Sequence, residues 1–187
     1  MEGGGGRVEP LLLQPFEICC GQRFSKSLYC AMSFTEDEIQ TILNDNSKKI
    51  CGNILWTRNK SFSDIATFNI PIISDGLGEL TLRGSYNLIY SKISFVIVYK
   101  QKRIYSLDIG HDHTNRKTKT QKRKSIGSVH KHKWSRKFKD AYAYQPDDIT
   151  AKAHEVEKAW KEFCIESKIT HEGIFYHPSQ RQQELFQ

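Results

Sequence analysis

The sequence has few cysteines and no long apolar run. Of its 187 residues five are cysteines, and the two in the body of the chain, Cys51 and Cys164, do not belong to a C-x-x-C pair. The longest apolar run is residues 95–99, far below the roughly 20 residues that span a bilayer. PLLLQPF near the start is too short for a signal-peptide core. These features argue against a disulfide framework and a membrane partner, and we expect a cytoplasmic protein.

Acidic residues are missing from one segment of the chain. Residues 116–139 contain eleven lysines and arginines and no aspartate or glutamate, whereas the remainder has 17 basic and 21 acidic residues. The net charge of +7 therefore comes from a single basic block. Such a block attracts polyanions, most often nucleic acid, although a solvated loop kept soluble by its charge has the same composition.

The organisation along the chain predicts one domain. Residues 1–31 contain a glycine-rich stretch and no clear period, so we expect a disordered or non-native extension, with Met32 as a candidate natural start. In this interpretation residues 32–178 form a single α+β domain. Residues 179–187 are expected to be a flexible tail.

Hydrophobic periodicity predicts the fold class. Residues 33–36 match a capping box and an apolar helical period follows them. From residue 51 to 109 the period changes to two, in short runs separated by turn residues, and residues 125–134 and 140–144 extend the pattern. A second amphipathic helix is expected to start near residues 148–150. The prediction is an antiparallel sheet of five to seven strands, with an N-terminal and a C-terminal helix packed on one face.

Four of the seven histidines lie in two short segments with the same spacing. His111 and His113 occur in LDIGHDHTN, and His130 and His132 occur in GSVHKHKW. Because residues i and i+2 of a strand share a face, each pair projects to one side. If the two segments pair as neighbouring strands, the imidazoles and the Asp108 carboxylate converge at one end of the sheet.

Three interpretations of this cluster remain open. In metal-free phosphodiester cleavage, two histidines act as base and acid while the aspartate orients an imidazole. The predicted catalytic residues are His113, His130, His132 and Asp108. In a metal site, three imidazoles and an aspartate would suit zinc or manganese, and the candidate histidine ligands are His111, His113, His130 and His132. The metal-free interpretation, which we prefer, needs no cofactor. In the third interpretation the histidines form ordinary hydrogen bonds to phosphate on a basic binding surface.

The basic block supplies the predicted nucleic-acid contacts. Trp134 lies among the lysines and could stack on an unpaired base, which favours RNA or a single strand over a duplex. Phe138, Tyr142 and Tyr144 have spacings typical of strand packing, so we expect them in the core. The predicted contacts are Arg116, Lys117, Lys119, Lys122, Arg123, Lys124, Lys131, Lys133, Trp134 and Arg136.

Several segments resemble an uncharacterised family of small bacterial proteins. They are MSFTEDEIQTIL, IPIISDGLGELTLRGSYN and LDIGHDHTN with IGSVHKHKW and DAYAY, and the resemblance covers residues 32–169. In that family a strand ending in D-x-G leads to H-x-N, an H-x-H strand and an AY segment. The resemblance implies a common element formed by Asp108, His113, Asn115, His130 and His132, with His111 particular to this chain. The family has no established activity, and toxins of bacterial toxin–antitoxin pairs are only loosely similar.

The sequence thus predicts a small bacterial protein that binds RNA or single-stranded nucleic acid through residues 116–139. Cleavage by the histidines would make it a ribonuclease-like toxin or defence component. The alternative is a non-catalytic adaptor that docks on an acidic protein partner or on nucleic acid. Histidine convergence favours the enzyme, whereas the absence of a recognisable catalytic motif favours the adaptor.

Overall fold

A computed structural model describes residues 34–58, 64–76, 78–116 and 122–180. Its elements are, in order, α1 (Glu36–Asn44), β1 (Lys49–Cys51), β2 (Thr57–Arg58), β3 (Ile65–Ile72), β4 (Leu80–Asn87), β5 (Lys92–Tyr99), β6 (Lys102–Asn115), β7 (Lys124–Lys133), β8 (Ala143–Tyr144), α2 (Val156–Glu166) and β9 (Thr170–Glu172). The α+β class is confirmed. The predicted extension at residues 1–31 and the end of the predicted tail, residues 181–187, lie outside the described residues.

Seven strands form one antiparallel sheet in the order β2-β3-β4-β5-β6-β7-β8. Neighbours in the chain are neighbours in the sheet, as the short turns between the apolar runs predict. A second, parallel pair joins β1 to β9. The sequence does not predict this pair, because each strand has only three residues and no visible alternation. Within the described residues, neither helix has the length and apolarity that crossing a membrane requires.

Aromatic side chains of the sheet pack against α2. The Trp160 ring lies 5.4 Å from Phe95 and 6.2 Å from Phe68, and Phe163 lies 5.2 Å from Phe95. Gly84, in the middle of β4, makes room for this contact, because a Cβ atom there would lie 2.1 Å from the Phe68 ring. The apolar face predicted for α2 is therefore buried against the sheet.

The first helix begins later than the sequence predicts. Thr35 is its N-cap, and the Thr35 hydroxyl accepts a hydrogen bond from the Glu38 amide at 3.0 Å. Ser33, which begins the predicted capping box, lies outside the described residues. Thr35 satisfies a backbone donor that the helix itself leaves unpaired.

The second helix begins at Val156 and not at residues 148–150, so this prediction is wrong. The Glu162 carboxylate accepts hydrogen bonds from the Thr150 and Ala151 amides, each at 2.9 Å. These amides are therefore satisfied by a side chain of the following helix, and the segment before Val156 stays non-helical.

Candidate functional site at the histidine cluster

The register of β6 and β7 brings the predicted aspartate and histidines together. Asp108 lies directly opposite His130, and Ser106 lies directly opposite His132. Directly opposed residues share a face of the sheet, so the carboxylate and both imidazoles project to the same side. The two segments thus pair as neighbouring strands, which is the condition on which the expected convergence depended.

His113 reaches the cluster through an irregularity in β6. The β6–β7 register shifts on both sides of His113. Three residues earlier, Gly110 has a φ of +97°, a backbone conformation that residues with a side chain rarely adopt. An irregular strand re-aims the side chains that follow it. The His113 ring lies 5.1 Å from the His130 ring and 4.9 Å from the His132 ring, measured between centroids.

The ring nitrogens of these three histidines converge. One nitrogen each from His113, His130 and His132 lies within 4.8 Å of the others. His130 is 1% exposed and His132 is 5% exposed. The Nδ1 atom of each is buried and finds no hydrogen-bond partner in the described part of the chain. A buried polar atom without a hydrogen bond destabilises a fold by about 1–3 kcal/mol, and two neighbouring histidines each carry one such atom.

His111 lies at the rim of the cluster. It is exposed, and its ring centroid is 5.3 Å from that of His130. Among the described residues, the convergent nitrogens come from His113, His130 and His132 and not from His111. The predicted four-histidine metal set is therefore reduced to three.

Asp108 is held in place by two serine hydroxyls. Its Oδ1 accepts a hydrogen bond from Ser94 at 2.5 Å, and its Oδ2 accepts one from Ser106 at 3.1 Å. The same Oδ2 lies 3.8 Å from His132 Nε2. Asp108 thus faces one ring nitrogen of His132, while the other, Nδ1, is the unpaired atom.

Burial keeps the two inner imidazoles neutral. Desolvation lowers the pKa of His130 to about 4, although the Asp108 carboxylate acts in the opposite direction. Desolvation also lowers the pKa of His132, again opposed by Asp108. A neutral imidazole can accept a proton or bind a metal ion, and it cannot supply the proton of an imidazolium.

A cleft of about 540 Å³ opens beside the cluster. His113 and His132 line it, whereas His130 lies behind them. The cationic residues of the lining are Arg103, Arg116 and Lys137. Arg103 is held by Asp140, with Nε 2.8 Å from Oδ2, whereas Arg116 and Lys137 are exposed.

Two stacked aromatic side chains form one side of this cleft. Phe138 and Tyr142 have centroids 4.9 Å apart and an interplanar angle of 27°. Trp134, by contrast, is 6% exposed and packs edge-on against Phe34 at 5.6 Å. Trp134, predicted from the sequence to contact nucleic acid, therefore belongs to the core. Phe138 and Tyr142, predicted to lie in the core, line the cleft.

The lysines and arginines predicted to contact nucleic acid differ in their exposure to solvent. The exposed ones are Arg116, Lys122, Arg123, Lys124 and Arg136. Lys131 is 8% exposed and forms ion pairs with Asp148, at 2.9 Å, and with Glu166. The Lys131 ammonium group is therefore already paired, unlike the exposed cations of this set. Lys117 and Lys119 lie outside the described residues.

Lys133 is held by α1, whereas the Trp134 backbone is held by β6. The Lys133 ammonium donates to the Gln40 side chain of α1, and the Trp134 amide donates to the Ile104 carbonyl at 2.9 Å. Strand alternation explains the orientation of Lys133, because adjacent residues of a strand project to opposite faces of the sheet and His132 projects to the other face.

Some residues of the site are not predicted from the sequence. Ser106 could have been found, because it alternates with Asp108 on the same strand. Ser94 depends on the β5–β6 register, in which it opposes Asp108. Arg103 and Lys137 reach the cleft only through the tertiary fold.

A family model matches most of the chain. A model described as a family of unknown function (DUF6978) matches residues 34–169. The chain belongs to this family. No curated protein and no solved structure matches it. The predicted resemblance to an uncharacterised family is therefore confirmed over nearly the same residues, while the shared histidine motif and the toxin similarity stay predictions. The histidine cluster and the cleft lie inside the matched range.

Proposed function

We propose that the chain binds RNA or single-stranded nucleic acid in the cleft and cleaves it there. The observation that carries this proposal is the combination of exposed cations, a stacked aromatic pair and two histidines around one opening. Cations attract the phosphate backbone, and aromatic rings stack on bases that are not paired. A volume of about 540 Å³ is within the range of small-molecule sites, so the cleft has room for part of a nucleotide.

Further cations lie where a strand of nucleic acid would leave the cleft. Arg116 lines the cleft at the end of β6, and Lys124 at the start of β7 lies directly opposite Asn115. Lys122 and Arg123 precede Lys124 and are exposed. This arrangement supports a continuous cationic path from the cleft along the end of the β6–β7 pair.

The histidines have unequal access to a bound phosphodiester. His113 and His132 line the cleft and are the residues that we expect to touch the substrate. His130 is 1% exposed, so it acts through its neighbours and not on the substrate. Asp108 is a positioning residue for His132 in this proposal.

The binding part is tested with a labelled single-stranded RNA at several salt concentrations. Replacing Lys122, Arg123 and Lys124 with alanine should flatten the log–log salt dependence by roughly 0.7 for each lost phosphate contact. The matched control removes three exposed lysines near or on α2: Lys152, Lys158 and Lys161. Equal changes in the two triple variants, or no binding by the unmodified protein at low salt, would reject the proposed site.

The cleavage part is tested on the same RNA, with zinc added and with a chelator. His113→Ala and His132→Ala should each lower the cleavage rate by roughly two to four orders of magnitude while RNA affinity is kept. Binding without any cleavage would favour the second candidate, a non-catalytic adaptor whose exposed cations dock on nucleic acid or on an acidic protein. A role as a toxin or defence component stays a prediction.

A further inference from the structure

We infer that His113, His130 and His132 form a binding site for a single Zn²⁺ ion. One ring nitrogen of each lies within 4.8 Å of the other two. Zinc binding at these side chains does not require that the cleft bind nucleic acid.

The spacing of the nitrogens is close to that of a tetrahedral zinc site. With zinc–nitrogen distances of about 2.0–2.1 Å, the ligand nitrogens lie roughly 3.3–3.4 Å apart. The three nitrogens lie within 4.8 Å of one another, so the rings must move closer together to hold the ion. His113 is the side chain with room to move, because it is half-buried and lies between two register shifts. His130 and His132 are buried, so they can contribute only small ring rotations.

The two inner histidines each present an unpaired nitrogen. Nδ1 of His130 and Nδ1 of His132 are buried, and neither has a hydrogen-bond partner among the residues that the structure describes. Buried polar atoms in proteins are nearly always hydrogen-bonded, so two neighbouring exceptions call for a ligand. In the inferred site these two Nδ1 atoms bind the ion together with one ring nitrogen of His113.

A carboxylate lies near the other ring nitrogen of His132, at the distance of an ion pair and not of a hydrogen bond. A ligating histidine generally directs its other ring N–H to a carboxylate, which fixes the orientation of the ring. Asp108 Oδ2 lies 3.8 Å from His132 Nε2, and the hydroxyls of Ser94 and Ser106 hold that carboxylate. Asp108 is thus a positioning residue for the ligand His132.

The donor set favours zinc over manganese. Three neutral imidazoles suit zinc, whereas manganese prefers carboxylate and carbonyl oxygens. Three protein ligands leave one position of a tetrahedral zinc ion open. Because His113 and His132 line the cleft and His130 lies behind them, that open position would face the cleft.

The test uses the full chain, freed of metal by chelation and titrated with Zn²⁺ against a coloured competing chelator. The unmodified protein should bind one zinc ion per chain, and Co²⁺ in its place should give the strong visible absorption of tetrahedral cobalt. His113→Ala should weaken zinc binding by more than the roughly 10–100-fold that loss of an outer-shell partner costs. His111→Ala is the matched control on the same strand and should leave the affinity unchanged.

Fold integrity is checked because His130→Ala empties a buried position. His113→Ala and Asp108→Asn are therefore the deciding variants, with thermal midpoints measured in chelator. Asp108→Asn should weaken zinc binding about 10–100-fold. If folded His113→Ala binds zinc as tightly as the unmodified chain, or if His111→Ala loses zinc equally, the inference is wrong. RNA binding without zinc binding would overturn this inference alone, and zinc binding without RNA binding would overturn the proposed function alone.

Discussion

Asn115 and Ala143 are joined by two hydrogen bonds that run in opposite directions. Asn115 Nδ2 donates to the Ala143 carbonyl at 2.6 Å, and the Ala143 amide donates to Asn115 Oδ1 at 2.9 Å. The side-chain amide thereby imitates a strand partner for β8, which has only two residues. Ala141 and Tyr142, which line the cleft, precede Ala143, so this pair fixes one wall of the cleft.

Replacing Asn115 with alanine should destabilise the protein by about 1–3 kcal/mol, because two backbone groups of Ala143 lose their partners in a buried position. Urea unfolding measures this loss. The control is Asn69→Ala, at an exposed strand position, which should change stability by less than about 0.5 kcal/mol. Equal effects of the two variants would show that the Asn115 pair contributes nothing specific.

Metal-free protein should lose stability as the pH falls below about 6.5. The folded state holds the pKa of His130 at about 4, whereas the unfolded value is 6.5, so between these values the unfolded chain binds more protons. Stability is therefore full above this window and decreases through it, by up to about 3 kcal/mol. Urea unfolding is measured in the presence of a chelator between pH 7.5 and 5. This range lies above the usual pKa of carboxyl groups, so their protonation contributes little to the change.

The control for this pH dependence is His154→Ala, at an exposed position, which should leave the slope unchanged. His130→Asn should flatten the slope, because the substituted side chain does not titrate. A stability that is constant from pH 7.5 to 5 would contradict a buried neutral imidazole.

Lys131 and Lys137 should have opposite phenotypes. Lys131→Ala leaves the Glu166 carboxylate without its cation, so we expect a loss on the order of 3 kcal/mol with RNA affinity unchanged. Lys137→Ala removes an exposed charge at the cleft, so RNA affinity should fall while stability is kept. Unfolding curves and RNA titrations of both variants measure the two effects. If Lys131→Ala also flattened the salt dependence of binding, its ammonium group would have to contact phosphate.

The cleft aromatics should discriminate single strands from duplexes. Tyr142→Ala should weaken binding of single-stranded RNA by about 1–3 kcal/mol, since it removes a stacking surface, and should change duplex binding less. Tyr90→Ala is the control, because Tyr90 is an exposed tyrosine and does not line the cleft. Fluorescence anisotropy with both forms of RNA measures the difference. An equal loss for duplex and single strand would mean that the ring does not stack on bases.

The fold could be predicted to the level of class and strand number. Apolar alternation and close turns predict five to seven antiparallel strands, and the main sheet has seven. The start of α2 could not be predicted, because it depends on Glu162 reaching back to the amides of Thr150 and Ala151. That contact joins residues 11 and 12 positions apart across a non-helical segment, and no local pattern encodes it.

The candidate site, like the fold, could be predicted only in part from the sequence. The i, i+2 spacing of His130 and His132 places them on one face whatever the rest of the fold does. The contribution of His113 depends on the irregular register of β6, and the Ser94 contact with Asp108 depends on how β5 pairs. The assignment of Trp134 was wrong because a charged sequence neighbourhood does not determine whether a ring is buried.

By itself the sequence determined the features that depend on chain periodicity and composition: the long strands of the main sheet, the common face of the H-x-H pair and the basic block between residues 116 and 139. The tertiary structure decided which side chains meet. It brought the His113 ring within 5.1 Å of the His130 ring, 17 positions further along the chain. It also paired Lys131 with Glu166, 35 positions further along the chain. The physical reason is that alternation fixes the direction of a side chain relative to its own strand. Strand register and packing fix its neighbours, and both are set by the whole core at once.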